Sequence, residues 1–168
     1  MKILVVSDTH GRCCFLERAL AKVGPIDLMI HLGDIEGDED YIKAIAKCPV
    51  EMVSGNNDFF SELPRDKFIQ LGKYYVMLTH GHRYGVNYGI SHIKEVALLE
   101  GADIVMYGHT HQPLIDLSDD KIYAINPGSI AQPRQNGKVP TFILMELDRK
   151  GEAHFTLNYL DDNLYANG

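Results

Sequence analysis

The sequence predicts an α/β layered domain, with two β-sheets packed on one another and helices outside them. Two observations carry that reading. Over the first two thirds of the chain, short apolar runs alternate with stretches whose apolar residues recur at helical spacing. Beyond residue 113 the texture changes to apolar runs without good helices between them, which adds strands but no helices.

The elements follow in order. Lys2 to Val6 reads as a buried strand. Cys13 to Val23 carries Phe15, Leu16, Ala19, Leu20 and Val23 along one helix face, and Gly24-Pro25 stops it. Asp27 to Leu32 is a second strand, Asp40 to Lys47 a short helix followed by Pro49, and Val50 to Val53 a third strand. Lys67 to Leu71 and Tyr74 to Leu78 form a hairpin across Gly72. Ser91 to Glu100 is a helix closed by Gly101, and Ile104 to Tyr107 is a strand. Lys121 to Ile125, Thr141 to Leu147 and His154 to Tyr159 complete the set.

The 168 residues fit one domain, drawn at residues 1–160, with 161–168 as a loosely ordered tail. No window approaches 18 consecutive apolar residues, so no membrane span is expected. The start, Met1-Lys2 and a short strand-like run ending at Ser7, is too brief for a signal-peptide core. Cys13, Cys14 and Cys48 lack paired zinc spacing, which argues against a disulfide framework and for a reducing cytoplasm; the first two read as helix-packing residues. The 16 Lys and Arg against 23 Asp and Glu give a formal charge of −7. Long nucleic acids and anionic membranes are therefore poor partners, although bound metal ions invert that logic locally.

Polar clusters follow five of the strands. They are Ser7-Asp8-Thr9-His10, His31-Leu32-Gly33-Asp34, Ser54-Gly55-Asn56-Asn57-Asp58, Thr79-His80-Gly81-His82 and Tyr107-Gly108-His109-Thr110-His111. In an open α/β sheet, ligands bind beyond the carboxyl ends of the strands. With mostly parallel strands all five clusters land at one sheet edge, and glycines 33, 55, 81 and 108 let the chain turn there. Asp8, His10, Asp34, Asn56, His80, His109 and His111 then converge. Carboxylates and imidazoles packed together need a compensating cation, and this mixture suits Zn, Mn, Fe or Ni better than calcium. Seven ligands exceed one tetrahedral ion and suit two, with Asp34 shared; such ions, about 3.5–4 Å apart, clamp a phosphoryl group for in-line attack by an activated water. His31, inside a strand, reads as a core histidine, and His92 and His154 as structural or exposed.

Asp8-x-His10, Gly33-Asp34, Gly55-Asn56, His80-Gly81-His82 and Gly108-His109-x-His111 resemble the calcineurin-like metallophosphoesterase superfamily. The short length and Asn126-Pro127-Gly128-Ser129 are similar to its small stand-alone YfcE-like phosphodiesterase branch. The resemblance covers roughly residues 1 to 160. It implies a four-layer αββα sandwich of two mixed sheets flanked by helices. It implies one divalent ion on Asp8, His10, Asp34 and His111 and a second on Asp34, Asn56, His80 and His109, drawn from Mn, Ni, Zn or Fe. The implied activity is hydrolysis of small phosphodiesters or phosphomonoesters, with dimers or higher homo-oligomers common in the family.

One position departs from the pattern. Many members carry, after the ligand Asn, a His proposed to protonate the leaving group; here it is Asn57, which cannot do so. His82 then substitutes or contacts the phosphate, neutralising charge together with Asn56. Asp58 orients a ligand from behind, and Asn57, Arg12 and Arg134 are candidate substrate contacts. Two rivals stand beside this reading: a retromer scaffold subunit of the same fold, which binds rather than catalyses, and a nuclease acting on short oligonucleotides.

Overall fold

Alternation along the first strand sets the layers. In β1 (Lys2–Val6), Ile3 and Val5 join one cluster of buried side chains and Leu4 and Val6 another, because successive side chains leave a strand on opposite faces. This computed structural model describes residues 1–160; the expected tail, 161–168, lies outside the described residues.

The first sheet has the order β10-β9-β1-β2-β3. Its strands β2 (Leu28–His31) and β3 (Val50–Met52) run parallel to β1, while β9 (Thr141–Leu147) and β10 (Ala153–Tyr159) are antiparallel additions. The helices α1 (Cys13–Val23) and α2 (Glu39–Ala46) cover its outer face, where Leu16, Ala19 and Ile42 meet Leu4, Val6 and Met29. Cys13 packs inward there, but Cys14 faces out.

The second sheet has the order β4-β5-β6-β8-β7. The strands β4 (Asp66–Leu71) and β5 (Tyr74–Thr79) form the expected hairpin; β6 (Ile104–Met106) and β8 (Tyr123–Pro127) run parallel to β5. The helix α3 (Ser91–Leu99) packs Ile93 and Ala97 on the outer side of Met77 and Val105. Ile3, Val5, Ile30, Leu78, Ile104, Met106 and Ile143 fill the space between the sheets. Three apolar clusters thus separate four layers, αββα, each sheet mixed.

Two features were not anticipated. The short strand β7 (Pro113–Asp116) pairs antiparallel with β8 at the sheet edge; its leading proline is tolerated only at such an edge or a strand's first residue. Beyond β5 the chain makes two short 3-10 turns, His82–Tyr84 and Val86–Tyr88. No helix among the described residues is long and apolar enough to cross a membrane.

Candidate metal centre

The five clusters do not share one sheet edge. Asp8 and His10 follow β1, Asp34 follows β2 and Asn56 follows β3, all on the first sheet; His80 and His82 follow β5, and His109 and His111 follow β6, on the second. The carboxyl ends of the two sheets meet, and hydrogen bonds join their loops. His80 Nδ1 donates to Leu32 O (2.7 Å) and His109 N–H to Asp8 Oδ2 (3.2 Å) across the two sheets, while Asp8 N–H to Gly33 O (3.0 Å) and Gly108 N–H to His80 O (3.2 Å) tie loops within each. The Asn126-Pro127-Gly128-Ser129 turn ties both sides: Asn126 Nδ2 donates to Gly108 O at 3.0 Å, and Ser129 Oγ to Asp8 O at 2.9 Å.

The backbone is strained where the donors stand. Asp8, His10, Asp34, His109 and His111 have φ of 59°, 46°, 56°, 66° and 56°, in the left-handed region that costs a non-glycine residue about 1–3 kcal/mol each and persists only where the surroundings impose it. Gly55 and Gly108 are glycine for space instead. A Cβ on Gly55 would strike Asp34 Oδ1, and one on Gly108 would strike Ser7 Oγ.

Asp58 supplies much of the restraint. Its Oδ2 accepts from the backbone N–H of Asp34 (2.8 Å) and Gly55 (2.7 Å), and its Oδ1 from Ile35 (2.8 Å) and Glu36 (2.7 Å). One carboxylate therefore fastens the loop after β2 to the loop after β3. His31, fully buried, works from the other side: Nδ1 accepts from Gly33 N–H, and Nε2 meets Thr9 Oγ1 at 3.1 Å. Burial lowers the proton affinity of His31 to about 4, so it stays neutral.

The partners of the donor rings decide which nitrogen faces the site. His10 Nδ1 lies 2.7 Å from a Glu36 carboxylate oxygen, His80 Nδ1 2.7 Å from Leu32 O, and His111 Nδ1 2.6 Å from Gln132 O. Those partners only accept, so each Nδ1 carries a hydrogen and each Nε2 is the nitrogen that faces the site, able to take a proton or a metal ion. The three Nε2 atoms point at two carboxylates. Asp8 Oδ1 is 3.1 Å from His111 Nε2, 3.8 Å from His10 Nε2 and 3.9 Å from His80 Nε2; Asp34 Oδ2 is 3.7 Å from His10 Nε2 and 3.4 Å from His80 Nε2. The Nε2 atoms of His10 and His111 are 3.3 Å apart. Asp8 Oδ1, completely buried, accepts no aligned hydrogen bond.

Acceptor faces acceptor throughout this space, an arrangement that costs several kcal/mol unless a cation or protons fill it. Asp8, His10, Asp34 and His111 offer ligand atoms within 4.8 Å of one another, and a ligating imidazole usually donates its other N–H outward as these do. The donor set therefore fits a divalent metal. Burial opposes ionisation of Asp8, but His111 and the charge of His80 overcome it and hold the carboxyl low; Asp34 is likewise lowered, against burial, by His80 and Asn57. Burial also opposes protonation of His80, and Asp34 and Asp8 outweigh it, so its proton affinity is raised. A metal ion competes for that same lone pair.

The remaining predicted residues divide. Asn56 Oδ1 lies 3.1 Å from His80 Nε2. His109 reaches the site's edge, its ring 5.2 Å from that of His80, with Nε2 2.9 Å from Asn87 Nδ2. His82 stacks obliquely 5.4 Å from His80, and its Nδ1 is buried without a partner. Asn57 is half-buried, and its backbone N–H and Nδ2 both donate to Asp34, at 2.9 and 2.7 Å. Arg12 and Arg134 are exposed, and the Arg134 backbone N–H donates to His111 O at 3.0 Å. Glu36 and Asn87, which hold His10 and His109, were missed. Glu36 is a carboxylate two residues beyond Asp34, a signal within reach; Asn87 offered none.

The fold and donor set define a class, that of metal-dependent phosphoesterases built on a double-sheet sandwich. Residues 1–150 match the family model of the calcineurin-like phosphoesterase superfamily domain, and the chain belongs to that family. The probable metallophosphoesterase YsnB of Bacillus subtilis is 33% identical over 139 residues, which cover 80% of this chain and 78% of that protein. A Streptococcus pneumoniae TIGR4 structure described as a predicted phosphoesterase superposes with TM-score 0.75 at 30% identity, covering 95% of this chain and 97% of that one. Zinc-complexed Vps29 of Entamoeba histolytica shares the fold at TM-score 0.74 and 24% identity, covering 95% and 99%.

Proposed function

We propose that the chain is a two-metal phosphodiesterase acting on small phosphodiesters whose leaving group departs readily. The observation that carries this reading is the set of three imidazole Nε2 atoms and two carboxylates directed into one buried space, with Asp34 between His10 and His80. Asp8, His10, Asp34 and His111 would hold one divalent ion, and Asp34, Asn56, His80 and His109 the other, from among Mn, Ni, Zn and Fe. When bound, the pair supplies Lewis acidity that acidifies a water and neutralises phosphoryl charge.

The chain's own residues do the rest. The outward Nδ1 bonds fix three rings before any substrate arrives. Burial, then the charge of His80, lowers the proton affinity of His82, which suits it to hydrogen-bonding a phosphoryl oxygen more than to holding a proton for a leaving group. Asn57 has no labile proton and is held by Asp34. Without an acid at either position, leaving groups that are stable as anions are favoured.

The metal-reconstituted protein is expected to hydrolyse bis(p-nitrophenyl) phosphate at least about tenfold faster than an alkyl phosphomonoester, the scale of a missing general acid being about 10²–10⁴. Equal rates on the two would overturn the diester preference. No hydrolysis with any of the four metals would favour a binding role, the reading suited to the fold shared with Vps29.

A further inference from the structure

We propose that the cleft beside Asn56 and His82 receives a second phosphate of the substrate, held by Arg65 and Arg83. The inference rests on the phosphoesterase reading and narrows it to a substrate class. The cleft has a volume of about 400 Å³, and its walls include Ser54, Asn56, Phe59, Arg65, His82 and Arg83. It adjoins the donor set directly, since Asn56 Oδ1 is 3.1 Å from His80 Nε2 and the His82 ring 5.4 Å from that of His80. A molecule whose reacting phosphate lies among the donors can extend into it.

Two cations face this cleft in a chain of formal charge −7. Balancing nearby carboxylates would be their ordinary role, but those carboxylates have other partners. Asp58 accepts four backbone N–H groups, and Asp34 is held by Asn57 and His80. Among the described residues, the Arg65 side chain makes no hydrogen bond or ion pair. Arg83 has one contact, 3.7 Å to Asp66 Oδ2, an oxygen that already accepts from the Tyr84 hydroxyl at 3.0 Å. Both guanidiniums line the same cleft as the His82 ring. The buried, partnerless Nδ1 of His82 adds an unmet polar atom to the same wall.

The pair suits phosphate better than carboxylate. A terminal phosphate monoester carries about −1.5 to −2 charges at pH 7 and three strong acceptor oxygens, which two planar guanidiniums match through bidentate hydrogen bonds. Phe59, 80% exposed, gives the linking atoms an apolar wall. The substrate class is a phosphodiester bearing a terminal phosphate a few bonds from the scissile one.

Two measurements on the metal-reconstituted protein test this. The first compares p-nitrophenyl phosphodiesters of matched chain length, one ending in a hydroxyl and the other in a phosphate. The kcat/KM ratio, phosphate over hydroxyl, is expected to be about tenfold or more in the native chain and near one in an Arg65→Gln, Arg83→Gln chain. A native ratio near one, or a ratio that the double substitution leaves unchanged, overturns the proposal. The second needs no turnover: calorimetric affinity for propane-1,3-bisphosphonate against propylphosphonate. A bisphosphonate preference that the double substitution removes supports the cleft even in a protein that hydrolyses neither ester. Equal affinities overturn the cleft even in an active phosphodiesterase.

Discussion

The two donor groups that share Asp34 are prepared to different degrees. Asp8, His10, Asp34 and His111 already bring their ligand atoms within 4.8 Å of one another, and the His10 and His111 rings are each pinned by a single outward hydrogen bond. In the other group, Asn56 Oδ1 faces His80 Nε2 at 3.1 Å, and His109 has its Nε2 engaged by Asn87. The Asn87 amide donates to that Nε2, so the lone pair is already taken and Nδ1 carries the hydrogen; His109 gives up this bond or changes tautomer before it can ligate. The first group is a ready cage, while the second, on the two-metal proposal, would have to reorganise to bind. The tighter ion is therefore expected in the first and the weaker in the second, since preorganised donors lose less on binding.

Asp34 stands outside this contrast because the two-metal proposal assigns it to both groups, and its replacement has the largest expected effect. Asp34→Asn keeps shape but removes the charge beside His10 and His80. It is expected to lower kcat/KM by more than about 10³-fold, beyond the 10- to 100-fold typical of a ligand's outer partners, and to reduce bound metal as measured by elemental analysis. An Asp34→Asn protein that retains both metal and turnover would show that Asp34 is not the common ligand.

Asp58 comes next, and it separates scaffold from chemistry. Asp58→Ala leaves four backbone N–H groups without their acceptor. Asp58 is only partly buried, so water replaces some of the loss, and the expected destabilisation is about 3 kcal/mol. Urea unfolding of the metal-free protein measures it. A shift below about 0.5 kcal/mol, the size of an ordinary surface change, would mean that the two loops hold their left-handed turns by other means.

Much of this was legible in the sequence, and the illegible part has one physical character. The Cys13–Val23 helix appears at the boundaries its apolar spacing gave, because Leu16 and Ala19 have a single face to bury. The strand ends bearing Asp8, Asp34, Asn56, His80 and His109 were readable because apolar runs stop there. What escaped were pairings between distant segments. The spacing of Asp8 and His80 does not reveal that their strands lie in different sheets. Nor does it reveal that His80 and His111 are oriented by the carbonyls of Leu32 and Gln132, since every residue carries a carbonyl. Nor does it reveal that the backbone and side-chain N–H groups of Asn57, expected as a substrate contact, donate to Asp34 across 23 residues of sequence.

The smallest effect tests the contrast most directly. Glu36 and Asn87 hold one ring in each group, His10 and His109. Glu36→Gln keeps an acceptor for His10 Nδ1 but removes the charge that makes the lone pair on Nε2 more basic, and is expected to weaken binding of the tighter ion by about tenfold, the lower end for such partners. Asn87→Ala is expected to weaken the other ion by less than that, because the Asn87 amide occupies the His109 Nε2 lone pair that an ion would need. Chelator-competition titrations of the two variants give both numbers. A larger loss in Asn87→Ala than in Glu36→Gln would reverse the order, making the His109 side the prepared one and the Asp8 side the one that adjusts.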